Sequence, residues 1–479
     1  MSVGFSSALQ VAAPEIVLSA GTLTLLVVGA LRGDRSTLGV AGGAILLLAA
    51  AAVVAVVSPL GAAFNGGFVA DQAARFCKVV IYALSAVARL LGERWLKRLN
   101  ASRFEYPILI LLAALGMGMM ASSGDLISLY VGIELMSLPT YVLAAFRRDD
   151  ARSSEAGLKY FILGSLSSGI LLYGVSLIYG FAGSVKYGLI AQAVHAGGGQ
   201  GVIFGIVFLM CGLAFKVSAA PFHMWTPDVY EGAPTPVVAF LTAAPKLAGM
   251  VLFARATVQA FPVATDQWRQ VMLAIAIISM LWGAFAGLNQ RNLKRLWAYS
   301  SIANVGYALV GLSAGTAEGV QSMLVFMVLY LIDVTGFFAC LIALSRDGRA
   351  METIDDMSGL MRERPGLAMA MTVFALSALG FPPLAGFWGK FYVFKAAASA
   401  GLAPVMVVGL LSSVVAAFYY LRLIKTMWFD PPTGRVDRSP GEAIGVAYAA
   451  AWFSAVVVSP FLALLDPLSK LAAWSFGVR

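Results

Sequence analysis

The sequence predicts an all-α polytopic membrane protein of about fourteen transmembrane helices, with two inverted five-helix repeats and discontinuous helices in the seventh and twelfth spans. Three observations predict it: composition, the alternation of basic loops, and a repeated interruption of apolar segments. Of 479 residues 60% are apolar and 12% charged, where a soluble domain carries roughly 25% charged residues. So few charges cannot cover a water-exposed surface, whereas a bilayer demands apolar surface and tolerates few ionised groups. A cytosolic globular protein is excluded. A spanning helix takes about 20 apolar residues, so the length holds roughly fourteen spans and no soluble catalytic domain.

Read by apolar length, the spans run over 14–31, 38–58, 72–91, 106–122, 124–146, 156–182, 201–223, 234–256, 268–288, 293–314, 319–345, 366–395, 401–428 and 443–465. The N-terminus lacks a positive n-region and a cleavage site, so its first apolar run reads as a retained span and not a removed signal peptide. Arg75 and Lys78 burden the start of the third span, and the tenth opens on the basic NQRNLKRL. The GMGMMA run from Gly116 to Ala121 has no strand before it. Small residues for close helix packing explain it better than a dinucleotide loop does.

Numbered in order, the odd loops carry most of the Lys and Arg: Arg89, Arg94, Lys97, Arg98 and Arg103 in the third, Arg147, Arg148 and Arg152 in the fifth, Arg291, Lys294 and Arg295 in the ninth, and Arg346, Arg349, Arg362 and Arg364 in the eleventh. By the positive-inside rule these loops face the cytoplasm, and an even number of spans puts both termini on the opposite side. Topology accounts for the net charge of +9, so no nucleic-acid partner is needed. The seventh span breaks at Pro221 and the twelfth at Pro382-Pro383. Each is the fourth helix of a possible five-helix unit, and an odd number of helices forces the second unit to run upside down relative to the first. The expected organisation is 1–105 for helices one to three, 106–256 and 268–428 for the two repeats, and 443–479 for the last helix.

The scarce residue types exclude redox chemistry on this chain. Cys77, Cys211 and Cys340 lie in separate apolar stretches with no C-x-x-C pair, so zinc or an iron–sulfur cluster has no ligand set and no metal is expected. A bis-histidine haem would require His195 and His223, of which one lies in a Gly-rich connection and the other beside a broken helix.

Charge inside a span costs roughly 2.5 to 3.5 kcal/mol at the helix centre, so each instance calls for a reason. Glu134 follows the fourth loop by about ten residues, which at 1.5 Å per residue is roughly 15 Å deep. Lys216 precedes the break at Pro221, Lys246 follows Pro245 at mid-depth, and Lys390 follows the second break. Structural ion pairs or snorkelling lysines are the plain alternative, but one carboxylate and three lysines cannot be neutralised pairwise. Burial penalises the charged form of both residue types. A Glu–Lys pair is therefore an adjustable element of a proton relay that needs no cofactor. Lys159, one turn into span six, can snorkel to the cytoplasm, and His223 can either pass protons or bond to backbone. Asp228 and Glu231 shape an entrance or are solvated. Asp333, in the middle of span eleven, pairs with a lysine of the second half or with hydroxyls of a neighbouring helix. Asp125 and Glu15, near span ends, read as interfacial.

The stretch 212–237, GLAFKVSAAPFHMWTPDVYEGAPTPV, resembles the signature of the antiporter-like membrane subunits of respiratory complex I, with TPDVYEGAP in the form typical of the bacterial subunit N branch. YVGIELMSLPTYVL (130–143), PKLAGM (245–250), RNLKRLWAYSSIANVGYAL (291–309) and GFPPLAGFWGKFYVFK (380–395) strengthen it, and the resemblance spans helices four to thirteen. It implies the fourteen-span fold with inverted repeats and proton translocation driven by electron transfer from NADH to quinone in other subunits. On this chain it assigns translocation to Glu134, Lys216, Lys246 and Lys390 and accessory roles to Lys159 and His223, while Asp333 has no counterpart in the family motif. It implies no cofactor here, with NADH, FMN, iron–sulfur clusters and quinone on other subunits. The implied partners are antiporter-like and small helical membrane-arm subunits, and the implied location is a bacterial inner membrane with periplasmic termini. Lys390 stands where the M-type subunit usually carries glutamate, and the long C-terminal extension of the L-type does not follow span fourteen. A multi-subunit cation/proton antiporter without redox input is the alternative, and a scaffold whose buried charges only fix packing is a third.

Overall fold

The computed structural model describes residues 5–196, 200–437 and 441–477. The chain opens with α1 (Phe5–Val11), α2 (Ala13–Arg32) and α3 (Thr37–Val57), then a hairpin of β1 (Gly61–Ala63) and β2 (Phe68–Ala70), then α4 (Gln72–Arg98), α5 (Glu105–Ala121) and α6 (Leu126–Ala144). Next come α7 (Ala151–Ala182), the short α8 (Tyr187–His195), α9 (Gln200–Lys216), α10 (Trp225–Gly232), α11 (Thr235–Thr242) and α12 (Ala244–Ala254). The second half holds α13 (Thr265–Gly287), α14 (Leu293–Ser313), α15 (Ala317–Ala343), the hairpin β3 (Ser345–Arg346) and β4 (Arg349–Ala350), α16 (Leu360–Glu363), α17 (Pro365–Leu379), α18 (Ala385–Ser399) and α19 (Ala403–Phe429). It closes with α20 (Glu442–Trp452) and α21 (Val458–Trp474). The two hairpins are antiparallel and too short for an apolar-length reading to find.

Among the described residues eight helical stretches are long and apolar enough to cross a membrane, and α5, α9 and α17 are shorter apolar helices. Their starts follow local chemistry. Asp71, Asp125, Asp150, Asn292 and Thr316 each accept a hydrogen bond from the first turn they precede, filling donors that a helix leaves open. The outer surfaces of α2, α3, α7 and α19 are apolar: Leu31 is 81% exposed and Val414 70%, a pattern that suits hydrocarbon and not water. By contrast α11, α12 and α15 are buried almost throughout.

Close crossings of α5 with α6 and of α13 with α14 depend on glycine. A Cβ on Gly116 would stand 2.4 Å from Met136 N, and one on Gly283 2.6 Å from Ala303 N. The backbones therefore touch where the first two helices of each expected five-helix unit cross, as small residues permit in membranes.

Both expected interruptions are present. Residues 217–224 separate α9 from α10, and residues 380–384 separate α17 from α18. Pro221 and the Pro382-Pro383 pair lie in these segments, and both X–Pro bonds, Ala220–Pro221 and Pro382–Pro383, are cis. Irregular backbone at membrane depth needs internal partners, and serines supply them. Ala220 N–H donates to Ser279 at 2.8 Å and Gly386 N–H to Ser377 at 2.8 Å. The eighth expected span is not continuous: it bends at Ala243, with φ −104° and ψ −98°, between α11 and α12. Pro245 cannot donate to the ladder, and the bend falls just before it.

Candidate functional site

The site starts in α6. Glu134 accepts a hydrogen bond from the Ser168 hydroxyl of α7 at 2.5 Å. Lys216, the last residue of α9, points its ammonium at the same hydroxyl, donating to Ser168 Oγ at 3.3 Å, to Ser137 Oγ at 3.0 Å and to Tyr141 OH at 3.3 Å. One serine thus joins the carboxylate to the lysine, in an unbroken order of donors from ammonium to hydroxyl to carboxylate. Gly164 makes room for this, since a Cβ there would stand 2.2 Å from the Tyr141 hydroxyl. Lys216 also occupies a helix C-terminus, where unpaired carbonyls favour a cation.

Lys246, 1% exposed, is the third residue of α12, just past the bend. Its ammonium donates to Ser301 Oγ and lies 5.8 Å from the centre of the Tyr230 ring. No carboxylate pairs with it among the described residues. The next turn of α12 packs on the first break, where a Cβ on Gly249 would stand 2.8 Å from Val217.

From Ser301 a polar stripe runs along α14. Ser300 shares a 2.5 Å hydrogen bond with Tyr420, Asn304 donates to the Ser300 carbonyl at 2.9 Å, and Tyr307 meets Ser412 at 3.0 Å. Lys390 lies over the Tyr307 ring at 4.6 Å. Its ammonium reaches back across the second break to the carbonyls of Ala378 and Leu379, both at 3.0 Å, and to Ser413 at 2.6 Å. Positions 300, 301, 304 and 307 fall on one helical face by their three- and four-residue spacing. The motif 291–309 contains them, but a reading that searched for charge passed over their hydroxyls and amide.

Asp333 is not paired with a lysine. Ser377 donates to its Oδ2, and Oδ1 has no partner among the described residues. It lines an internal cavity with Asn304, Tyr330 and Ser377, which sets a carboxylate beside the α14 stripe.

The remaining candidates stand apart. Lys159 donates to Glu155 at 2.8 Å and to Asp228 at 2.9 Å, with its side chain 43% exposed. Arg295 bonds Asp228 and Glu231 at 2.6 and 3.1 Å, and Lys294 bonds Glu352 at 3.0 Å. This cluster ties α7 and α10 to α14 at the end that bears the basic loops. Burial alone would raise the Asp228 carboxyl, but hydrogen bonds from Lys159 and Arg295 more than reverse this and hold it below the usual carboxylate value. Tyr160 stacks on Trp225 with ring centres 4.3 Å apart and meets Tyr141, a partner of Lys216, edge-on at 4.7 Å. His223 is half-buried in the first break, 5.7 Å from Trp282, and makes no hydrogen bond to Lys216. Glu15, expected near a span end, is buried against Lys78 at 2.6 Å and accepts from the Tyr82 hydroxyl at 3.4 Å. Among the described residues no three His, Cys, Asp or Glu side chains gather as a metal site.

The NADH:quinone oxidoreductase/Mrp antiporter transmembrane family matches residues 123–416, the stretch that holds Glu134, Lys216, Lys246, Asp333 and Lys390. A protein of Caulobacter sp. (strain K31) named NADH-quinone oxidoreductase subunit N is 61% identical over 480 residues, covering 99% of each chain. The chain belongs to the subunit N family of NADH-quinone oxidoreductase. A chain of respiratory complex I from Thermus thermophilus superposes with a TM-score of 0.81 at 34% identity, covering 96% of this chain and 99% of that one. A chain of the Mrp complex from Dietzia sp. DQ12-45-1b shares the fold at a TM-score of 0.86 and 22% identity, over 98% of this chain and 97% of that one.

Proposed function

We propose that this chain is the proton-translocating subunit N of an NADH-quinone oxidoreductase, moving protons through Glu134, Ser168 and Lys216, then Lys246 and Ser301, then the α14 stripe to Lys390. The observation that carries the reading is the single hydroxyl shared by Glu134 and Lys216, which lets a charge on one be felt and relayed by the other inside the membrane. Asp333, the buried acid of the second half, Lys159, bonded to Asp228 of α10, and His223, within the first break, act as accessory groups.

The reading includes a fourteen-span chain with inverted repeats over 106–256 and 268–428, supported by two breaks at matching positions and two glycine-mediated crossings at matching positions. Basic loops on the cytoplasmic side put both termini in the periplasm of a bacterial inner membrane. NADH, FMN, the iron–sulfur clusters and quinone belong to other subunits, and the partners are antiporter-like and small helical membrane-arm subunits. A cation/proton antiporter subunit shares the fold, but 61% identity to a subunit N favours the redox-linked complex. The test is proton pumping by the intact complex carrying Lys216→Ala or Lys246→Ala. Loss of pumping is expected, and normal pumping in a fully assembled complex would leave only the scaffold reading.

A further inference from the structure

A second buried acid–base pair lies outside this route. Glu15 opens α2, and Lys78 sits roughly 9 Å along α4 at 1.5 Å per residue. Their charged atoms meet at 2.6 Å, with side chains 9% and 3% exposed. Tyr82 donates to Glu15 Oε1 at 3.4 Å, while Oε2 is buried with no hydrogen-bond partner among the described residues. Gly118, from the GMGMMA run, makes the space: a Cβ there would stand 2.3 Å from the Tyr82 hydroxyl and 2.8 Å from Glu15 Oε1. The other charged groups felt at Lys78 are Asp71 and Arg255, themselves paired at 2.6 Å. A buried ion pair is weak support for a purely stabilising role, because apolar replacements are often tolerated, and an ionisable group inside a span is a functional candidate.

The pair lies beneath a cap. Phe68 of β2 holds its ring 4.6 Å from Lys78 Nζ, and Ala8, Val11, Ala12 and Ala63 close an apolar cluster with Phe68. This cap is strapped to the start of α6. Val69 N–H donates to the Ser122 carbonyl at 2.7 Å and Gly124 N–H to the Gly67 carbonyl at 3.0 Å, and the next residue, Asp125, is the N-cap of α6. Glu134 is carried by that same helix, so these two hydrogen bonds join the hairpin that bears Phe68 to the start of the helix that bears Glu134.

We propose that Glu15 and Lys78 form a further proton-binding site, opening through the α1–hairpin cap to the face opposite the basic loops when α6 moves. The proposal rests on the chain being a proton translocator. At rest the ammonium and the carboxylate are paired. An arriving proton takes the free lone pair of Oε2 and leaves a neutral acid beside the ammonium. When the cap opens, that proton passes to water and the pair is restored, one proton in and one out.

The test uses the intact complex in proteoliposomes, reading protons moved per electron from NADH. Glu15→Gln combined with Lys78→Met removes both charges together, so neither is orphaned, and the ratio is expected to fall. An unchanged ratio in the assembled variant overturns the site. Lys216→Ala measured alongside separates the two readings, because a normal ratio there overturns translocation by this chain, while a lowered ratio there with an unchanged double variant overturns only the Glu15–Lys78 site. Phe68→Ala is expected to speed the decay of a preformed pH gradient, and decay at the wild-type rate overturns the cap. If the double variant does not assemble, infrared difference spectra of Glu15→Gln decide. Loss of a carboxyl band during turnover supports the site and an unchanged spectrum overturns it.

Discussion

Ser168→Ala removes one oxygen and tests the link between Glu134 and Lys216 directly. The change cuts the Ser168–Glu134 bond at 2.5 Å and the Lys216–Ser168 bond at 3.3 Å, while Lys216 keeps Ser137 and Tyr141. A hydrogen bond to a charged group is worth about 1.5–3 kcal/mol. If one such bond is lost as the proton passes, transfer slows by roughly 10- to 150-fold, at about 1.4 kcal/mol per tenfold. The assay is NADH-driven proton uptake by the reconstituted complex, followed under single-turnover and steady-state conditions. Ser168→Thr retains the hydroxyl and is the control, expected to pump close to wild type. Equal transfer rates in Ser168→Ala and wild type would refute the shared-hydroxyl relay, since no other side chain hydrogen-bonds both groups among the described residues.

Glu134→Gln keeps the acceptor for Ser168 but removes the charge opposite Lys216, so pumping is expected to drop more than assembly does, measured as proton stoichiometry against subunit content. A wild-type stoichiometry would reject the Glu–Lys switch. Gly283→Leu forces a side chain to within 2.6 Å of the Ala303 backbone and is expected to cut recovery of assembled complex from membranes severalfold, whereas Gly39→Leu, facing open space, is expected to have no effect. Asp228 is held below its ordinary value by Lys159 and Arg295, so its contribution to stability is full above the unfolded value of about 4 and is lost as pH falls through the lower folded value. The gap in thermal midpoint between wild type and Asp228→Asn is therefore expected to be constant above about pH 5 and to close on acidification below about 4; a gap that widens there would contradict the assignment.

The residues legible in the sequence were those whose chemistry is costly in a bilayer. Glu134, Lys216, Lys246 and Lys390 announce themselves because charge in an apolar run needs a reason, and Pro221 and Pro382-Pro383 because proline interrupts the helix ladder. Ser168, Ser301 and Ser413 do not. A serine in an apolar helix can bond its own preceding turn, as Ser85 does to the Ile81 carbonyl at 2.8 Å, and nothing local separates that use from a cross-helix link. The pairing of Glu15 was hidden for a different reason. Its distance from the end of the apolar run is short, but Lys78 and Tyr82 of α4 and the space left by Gly118 of α5 enclose it, and those residues are far away in the chain. The bend at Ala243 precedes its proline by two residues, and the residue itself carries no signal.

The two breaks supply acceptors for lysines where carboxylates are few. Breaking a helix inside the membrane creates a C-terminus there, with unpaired carbonyls and roughly half a negative charge. Lys216 ends α9 at one such terminus, and Lys390 donates directly to the last carbonyls of α17 at the other. Lys246 lies between them with neither a helix end nor a carboxylate, held by Ser301 and faced by Tyr230. Its compensation is therefore the weakest of the three and the most exposed to movement. It sits on α12, which packs on the first break at Val217, while its hydroxyl partner sits on α14, which Arg295 ties to α10. On the proposed reading, a shift of the first break bears on Lys246 through Val217 and α12, a shift of α10 bears on Ser301 through α14, and a change in the first half of the chain would reach the second through the lysine that has neither a helix end nor a carboxylate beside it.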